Sequence, residues 1–350
     1  MSLSVAMAAL LLALLIDRLW GEPPVRLHPV VWMGNYLGWA GKRLQRVASQ
    51  TALGTAQSLP DYKAFWLGAL YWIGGIATFT IVAWWLQQSI GQAGVWVAAR
   101  VLGGHGMVAG GAADALTTGL TALLLALLFK PMLAWAMLRS EVLAVEAALQ
   151  QSLAAGRERL GWLVSRDTST LSEAQVRESA IESLAENLTD SVVAPIFWFV
   201  VFGLPGAVLY RFANTADAMW GYKGVYKGHN WAWAGKWAAR ADDLLNWLPA
   251  RLTAYVLWLA NLGRAPGFSL SQLRREAVKT PSPNGGWPMG AMALALNIRL
   301  GKPGVYVLNP AGGEPRAEQT QQAIHFASKV LLALIPIGLI ALVLRAMLVP

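Results

Sequence analysis

Six apolar runs, most of them near the length of a membrane-crossing helix, dominate the chain. They lie at 2–16, 65–87, 113–137, 191–212, 245–262 and 327–348. A helix needs about 20 apolar residues to cross a hydrocarbon core of roughly 30 Å. Inside that core every backbone polar group must be satisfied within the segment itself. The expected fold class is therefore all-α: a multipass integral membrane helical protein with long cytoplasmic loops and broken or re-entrant helices. The whole chain, 1–350, is read as one membrane-embedded domain. The run at 65–87 has aromatics at both ends, as interface anchoring demands. The first run, "MSLSVAMAALLLALLI", is short and lacks both a basic start and a small-residue cleavage pattern. It reads as a retained helix, not as a signal peptide.

Composition agrees where it bears on class. Charged residues make up 13% of the chain, against about 25% in average usage, and 18 Trp suit membrane interfaces. There is no Cys, which excludes disulfides, thiolate metal sites and Cys nucleophiles. The net charge of +9 is spread through loops, with no basic run dense enough to track a nucleic-acid backbone.

Loop charges set the orientation. Residues 18–64 carry Arg18, Arg26, Lys42, Arg43, Arg46 and Lys63, whereas 88–112 carry only Arg100. The positive-inside rule places 18–64, 138–190 and 263–326 in the cytoplasm and 88–112 outside. Strict alternation would put 213–244 outside, against Lys223, Lys227, Lys236 and Arg240. Pro195, "GLPG" (203–206), Pro249 and Arg251 interrupt the flanking runs. We therefore read 191–212 and 245–262 as buried, re-entrant or packed at the cytoplasmic edge, which returns 213–244 to the cytoplasmic side.

Polar residues concentrate in a few places. "ESAIESLAENLTD" (178–190) stacks Glu178, Glu182, Glu186 and Asp190 at intervals of four, with Asn187 beside them. Ser172 and Gln175 form a capping-box pattern that predicts a helix from about Glu173. On that helix the four acids share one face, and like charges so placed repel. A solvated acidic face is the plain alternative. The ladder runs straight into an apolar segment, so we favour a site for a hard cation such as Mg²⁺, with Arg166 and Asp167 close in sequence. Further on, Asn214 and Asp217 are three apart. Asp243 and Asn246 are three apart, and Asp242 and Asn246 four, with Arg211, Lys223, Lys227, Arg240 and Arg251 nearby. Acid and amide groups beside cations are what a Mg²⁺–polyphosphate complex needs. "SPNGG" (282–286) predicts a tight turn before a helix of small residues, able to show amide donors to an anion. His28, before Pro29, reads as a turn histidine more readily than as a ligand. His105, His229 and His325 show no ligand spacing.

Five stretches, in order, carry a resemblance: "HPVVWMG", "SRDTSTLSEAQVRESAIESLAENLTDSVVAPIFWF", "GLPGAVLYRFANTADAMWGYK", "ARADDLLNWLPARLTA" and "SPNGGWPMGAMALALNIRLGKPGVY". Together they span residues 28–306 and resemble the CobD/CbiB-type adenosylcobinamide-phosphate synthases of cobalamin biosynthesis. The family pattern has GDP where this chain has Gly21-Glu22-Pro23, and NTLD where it has Asn214-Thr215-Ala216-Asp217. The resemblance implies an ATP-dependent amide ligase in the cell inner membrane, with its active site on the cytoplasmic side. It would join aminopropanol, free or phosphorylated, to the free propionate carboxylate of adenosylcobyric acid through an acyl phosphate. Its cofactors would be ATP and Mg²⁺. Its partners would be the corrinoid, aminopropanol phosphate, the lipid bilayer and other membrane enzymes of the pathway, with no nucleic acid.

On that basis Glu182, Glu186, Asn187, Asp190, Asn214, Asp217, Asp242 and Asp243 are the expected catalytic group. Glu182, Glu186, Asp190, Asp242 and Asp243 are the expected metal ligands. Arg166, Asp167, Lys223, Arg240, Asn246, Arg251 and Asn284 are expected to hold the nucleotide. Competing readings are a membrane prenyltransferase acting on Mg-diphosphate, a non-catalytic membrane partner and a transporter. The acids are not gathered into two matching aspartate-rich boxes, and no inverted repeat is visible.

Overall fold

The structure is a computed structural model, and it describes residues 1–48, 60–101, 108–261 and 268–348. His105 and part of the 88–112 connection, with the last residue of the 245–262 run, lie outside the described residues.

In chain order the helices are α1 (Leu3–Trp20), α2 (Pro29–Ala48), α3 (Tyr62–Val101), α4 (Val108–Phe129), α5 (Trp135–Gln151), α6 (Leu153–Leu160), α7 (Glu173–Leu188), α8 (Ala194–Phe202), α9 (Leu204–Trp220), α10 (Lys236–Leu245), α11 (Trp247–Ala260), α12 (Leu270–Ala277), α13 (Gly286–Leu296) and α14 (Ala317–Leu348). Two antiparallel hairpins complete the described residues: β1 (Val225–Tyr226) with β2 (His229–Asn230), and β3 (Leu300–Lys302) with β4 (Tyr306–Leu308). The chain is thus all-α in class. Five helical segments are long and apolar enough to cross a bilayer: Leu3–Trp20, Tyr62–Val97, Gly111–Gln151, Glu173–Phe202 and Ala317–Leu348.

The two runs read as interrupted, 191–212 and 245–262, are not single long helices in the structure. Residues 191–212 do not form one segment. The fourth long helix starts at the acidic ladder and stops at Gly203, whose φ of 72° suits glycine, and Pro205 opens the first turn of α9. Residues 245–262 hold α11, only 14 residues long. At 1.5 Å per residue that is about 21 Å, too short to span. The ladder helix also carries a π-helical stretch, Thr189–Val193, which includes Asp190. Such bulges recur at functional sites.

The residues gather into two compact units. One comprises Met1–Leu133, Pro195–Leu245 and Leu339–Pro350; the other, Ala134–Ala194 and Asn246–Gly338. In the first unit α1 packs along α4, and α9 packs on α2, α3 and α10. Phe129 stacks on Phe199 with centroids 4.2 Å apart, and Tyr210, Phe212 and Trp220 are fully buried. A buried charge cluster ties the end of α1 to the turn after α4. Lys130 Nζ lies 2.8 Å from Glu22 and 3.5 Å from Asp17. His28 joins it: Nε2 lies 3.1 Å from Glu22, and Nδ1 accepts the Val30 N–H at the start of α2. Both ring nitrogens are thus engaged locally, which supports the structural reading of this histidine. Burial pushes the Glu22 carboxyl up, but the His28 and Lys130 hydrogen bonds outweigh it and hold the group below the usual carboxylate range.

In the second unit α7 packs against α5, α6, α13 and β3. Buried Glu146 of α5 takes a two-pronged contact from Arg177 of α7 and the hydroxyl of Thr320 at the start of α14. Three elements are pinned at one carboxylate. Breaking such a pair by removing one partner costs about 3–5 kcal/mol.

Candidate functional site

Helix α7 starts where its capping box says it should. Ser172 Oγ accepts the Gln175 N–H, and the Gln175 side chain accepts the Ser172 N–H. The expected acidic ladder follows, and its rungs meet different partners. Glu178, 3% exposed, is gripped by Arg299, whose Nη2 lies 3.0 Å away. Glu182, 2% exposed, is paired with Arg166 at 2.5 Å and accepts the Tyr306 hydroxyl. Glu186 is exposed. Asp190, in the π stretch, accepts from Asn246 Nδ2. The protein's own guanidinium groups therefore balance the charge of the two buried rungs, and the Tyr306 phenol adds a hydrogen bond to Glu182.

Of these groups Arg166, Glu182, Glu186 and Tyr306 border a cavity of about 310 Å³ within the second unit. Arg166, Glu182, Glu186 and Asn187 form one wall, and Ser282, Lys302 and Tyr306 face it. Asn187 Nδ2 donates to Ser183 O and Oγ, which fixes the amide. Arg166 Nη1 is buried with no hydrogen-bond partner among the described residues, although its Nη2 holds Glu182. A buried donor left over on a cavity wall suits an anionic ligand. The Tyr306 phenol is pushed well up, first by burial and then by the charges of Glu182 and Glu186. It stays protonated and donates across the working pH range. The β3–β4 hairpin, with Lys302 opposite Tyr306 in register, brings both residues to the cavity.

The turn at 280–286 forms the rim. Gly286 is required there, because a Cβ would fall 2.1 Å from the Ala277 carbonyl oxygen. The amides of Asn284 and Gly285 donate to Ser282 Oγ within the turn, so these two are spent locally and do not face an anion. Arg251 braces the same turn. Its guanidinium sits over Trp247 at 4.1 Å and Trp287 at 4.9 Å, and Nη1 donates to Asn284 Oδ1 and Trp247 O. Asp167 is exposed and accepts the Ser169 N–H in a local turn, which holds its carboxyl below the usual range.

The remaining expected residues fall in the first unit. Asn214 of α9 donates to Asp242 of α10 at 3.4 Å, joining two motifs that the sequence kept apart. Asp242 is buried. Burial raises the Asp243 carboxyl against the lowering pull of Lys223. Asp217 lies one turn beyond Asn214 on α9, and Arg240 is exposed on α10. Asn246, grouped with Asp242 and Asp243 by spacing, belongs to the second unit. The helix ends at Leu245, and α11 begins afresh at Trp247.

No group of three or more His, Cys, Asp or Glu side chains set to hold a metal occurs among the described residues. Mg²⁺ with a nucleotide asks less, commonly one or two carboxylates, with phosphates and water supplying the rest. The donor set is compatible with that demand. Asn246 Oδ1 is buried and unpartnered beside Asp190, and Glu186 opens onto the cavity. Tyr306, Lys302 and Arg299 were not singled out from sequence. All three lie in or beside the quoted stretch ending "RLGKPGVY", but nothing local ties Tyr306 to a glutamate 124 residues away.

An all-α, multipass membrane protein with a carboxylate–guanidinium cavity is the class that fold and site define. The CobD/Cbib protein family model matches residues 10–331. "Probable cobalamin biosynthesis protein CobD" of Methanothermobacter thermautotrophicus is 36% identical over 328 residues, covering 93% of this chain and 94% of the relative. "Cobalamin biosynthesis protein CobD" of Chromobacterium violaceum is 40% identical over 291 residues, covering 83% and 80%. The "Probable cobalamin biosynthesis protein CobD" of Pyrococcus abyssi is 35% identical over 313 residues, covering 89% and 88%. No solved structure matches. The chain belongs to the CobD/CbiB family of cobalamin biosynthesis.

Proposed function

We propose that this protein is an ATP-dependent amide ligase. It joins aminopropanol or its phosphate to the free propionate carboxylate of adenosylcobyric acid, giving adenosylcobinamide or its phosphate. Family membership supports the pathway. The observation that carries the chemistry is Arg166, which pins Glu182 with one nitrogen and leaves a buried, unsatisfied donor at a cavity that also holds Glu186 and Lys302.

A carboxylate is a poor electrophile, and ATP with Mg²⁺ would supply the phosphoryl group that activates it. Arg166 and Lys302 are placed to neutralise phosphate oxygens. Glu186 and Asp190, with Asn246, are the oxygen donors for the cation. Glu182 acts in this reading as an anchor: held by Arg166 and by the protonated Tyr306, it sets the guanidinium at the cavity wall. Arg251 and Asn284 hold the rim. Asn214, Asp217, Asp242 and Asp243, with Lys223 and Arg240, form a separate polar cluster within the first unit, proposed as a second place for substrate or metal. We place the active site on the cytoplasmic side of the cell inner membrane.

The test is a detergent-solubilised assay with ATP, Mg²⁺, adenosylcobyric acid and aminopropanol phosphate. Mass detection of the amide product, with ATP consumed, is the expected result. No amide product, or turnover of a prenyl diphosphate instead, overturns the reading.

A further inference from the structure

Helix α2 has a surface that neither the packing nor the proposed chemistry uses. Its inward face buries Met33, Leu37, Ala40 and Leu44. Positions 32, 39, 42 and 46 recur at helical spacing on the outward face, and residue type changes along the axis. Trp32 and Trp39, each 47% exposed, come first; Lys42, Arg43 and Arg46 follow, all exposed. Trp39, Lys42, Arg43 and Arg46 line a groove of about 360 Å³ with Gly34, Asn35 and Gly38. Arg43 stacks over Trp39 at 3.9 Å.

The cations are unbalanced. Among the described residues none of the three forms an ion pair with a carboxylate. The residues outside the described set contain no Asp or Glu. Lys42 and Arg46 stand four apart and Arg43 and Arg46 three apart, so the charges repel one another along the helix. Packing does not require the glycines, since a Cβ at Gly34 or Gly38 would meet only Met219, at 3.9 Å. Their effect is to leave the groove open.

We propose that this groove binds the phosphodiester headgroup of an anionic phospholipid, with Lys42, Arg43 and Arg46 around the phosphate and Trp32 and Trp39 at the interface. The order of the face, aromatic and then cationic, follows the gradient from acyl chain to headgroup. The basic 18–64 connection faces the cytoplasmic leaflet by the positive-inside rule, and anionic lipids concentrate there.

Native mass spectrometry of the full-length protein, released from nanodiscs of phosphatidylcholine with phosphatidylglycerol, would count retained anionic lipid. The wild type is expected to retain phosphatidylglycerol selectively. The variant K42Q/R43Q/R46Q is expected to lose apparent affinity by roughly 100-fold, at about fivefold per cation. Gly38→Leu, which fills the groove and leaves its charges alone, is expected to lose retention too. The control R274Q/R275Q/R316Q removes the same charge from exposed positions elsewhere and should retain lipid like the wild type. Equal loss in that control, or full retention in either groove variant, overturns the proposal. Displacement of the lipid by ATP or inorganic phosphate at constant ionic strength also overturns it, by assigning the groove to a soluble phosphate.

Discussion

Single residues decide how the site carries its charge. Glu182 is buried and has two partners, so Arg166→Met should leave an uncompensated carboxylate and cost about 3–5 kcal/mol, seen as a lower unfolding midpoint in detergent. Glu186 is exposed and borders the same cavity, so Glu186→Gln should lose most Mg²⁺-dependent turnover while the midpoint stays within error. A variant with full turnover at all Mg²⁺ concentrations would remove Glu186 from the metal site. Asp243 gives a pH signature. Burial raises its folded-state pKa, so the unfolded chain releases the proton first as pH rises. Stability is then lost from the ordinary carboxylate pKa upward, through the raised folded value. Asp243→Asn should therefore gain stability relative to wild type at pH 7 but not at pH 3.5, and thermal melts at the two values check it. The residues of the ladder were legible in the sequence; their partners were not. Arg299 and Tyr306 reach Glu178 and Glu182 only because a hairpin folds back on α7.

At the scale of elements, local rules were reliable where the physics is local. The Ser172–Gln175 box set the start of α7, and Ser172→Ala should cost about 1 kcal/mol in an unfolding experiment, since it removes a satisfied cap. Between Leu245 and Trp247 the helical assignment is interrupted at one residue, Asn246, whose amide donates to Asp190. Residues 191–212 show local physics at work: the "GLPG" (203–206) that interrupts the run in the sequence is where Gly203 ends one helix and Pro205 opens the next. The π stretch at Thr189–Val193 has no sequence signature at all. It follows from packing, where Ser191 O accepts the Ala134 N–H and Thr189 bonds Thr253.

For the whole molecule the membrane sets the terms. Five segments are long and apolar enough to cross, and the positive-inside rule predicts their orientation from the basic connections. The chain has no Cys, so a single introduced thiol reports one position cleanly. Lys227→Cys in the 213–244 stretch and Val278→Cys, at a 78% exposed position in the 263–326 stretch, should both label from the cytoplasmic side. Labelling of Lys227→Cys from the opposite side alone would refute the proposed orientation. Hydrophobic runs, cap signals and loop charges are written residue by residue, so the sequence by itself determined the all-α membrane class, the start of the ladder helix and the family to which the chain belongs. Only the tertiary structure decided which groups meet the buried carboxylates. Arg166, Arg299 and Tyr306 lie from 16 to 124 residues away from the glutamates they hold. An ion pair or hydrogen bond across that separation depends on how elements pack, and no spacing along the chain encodes it.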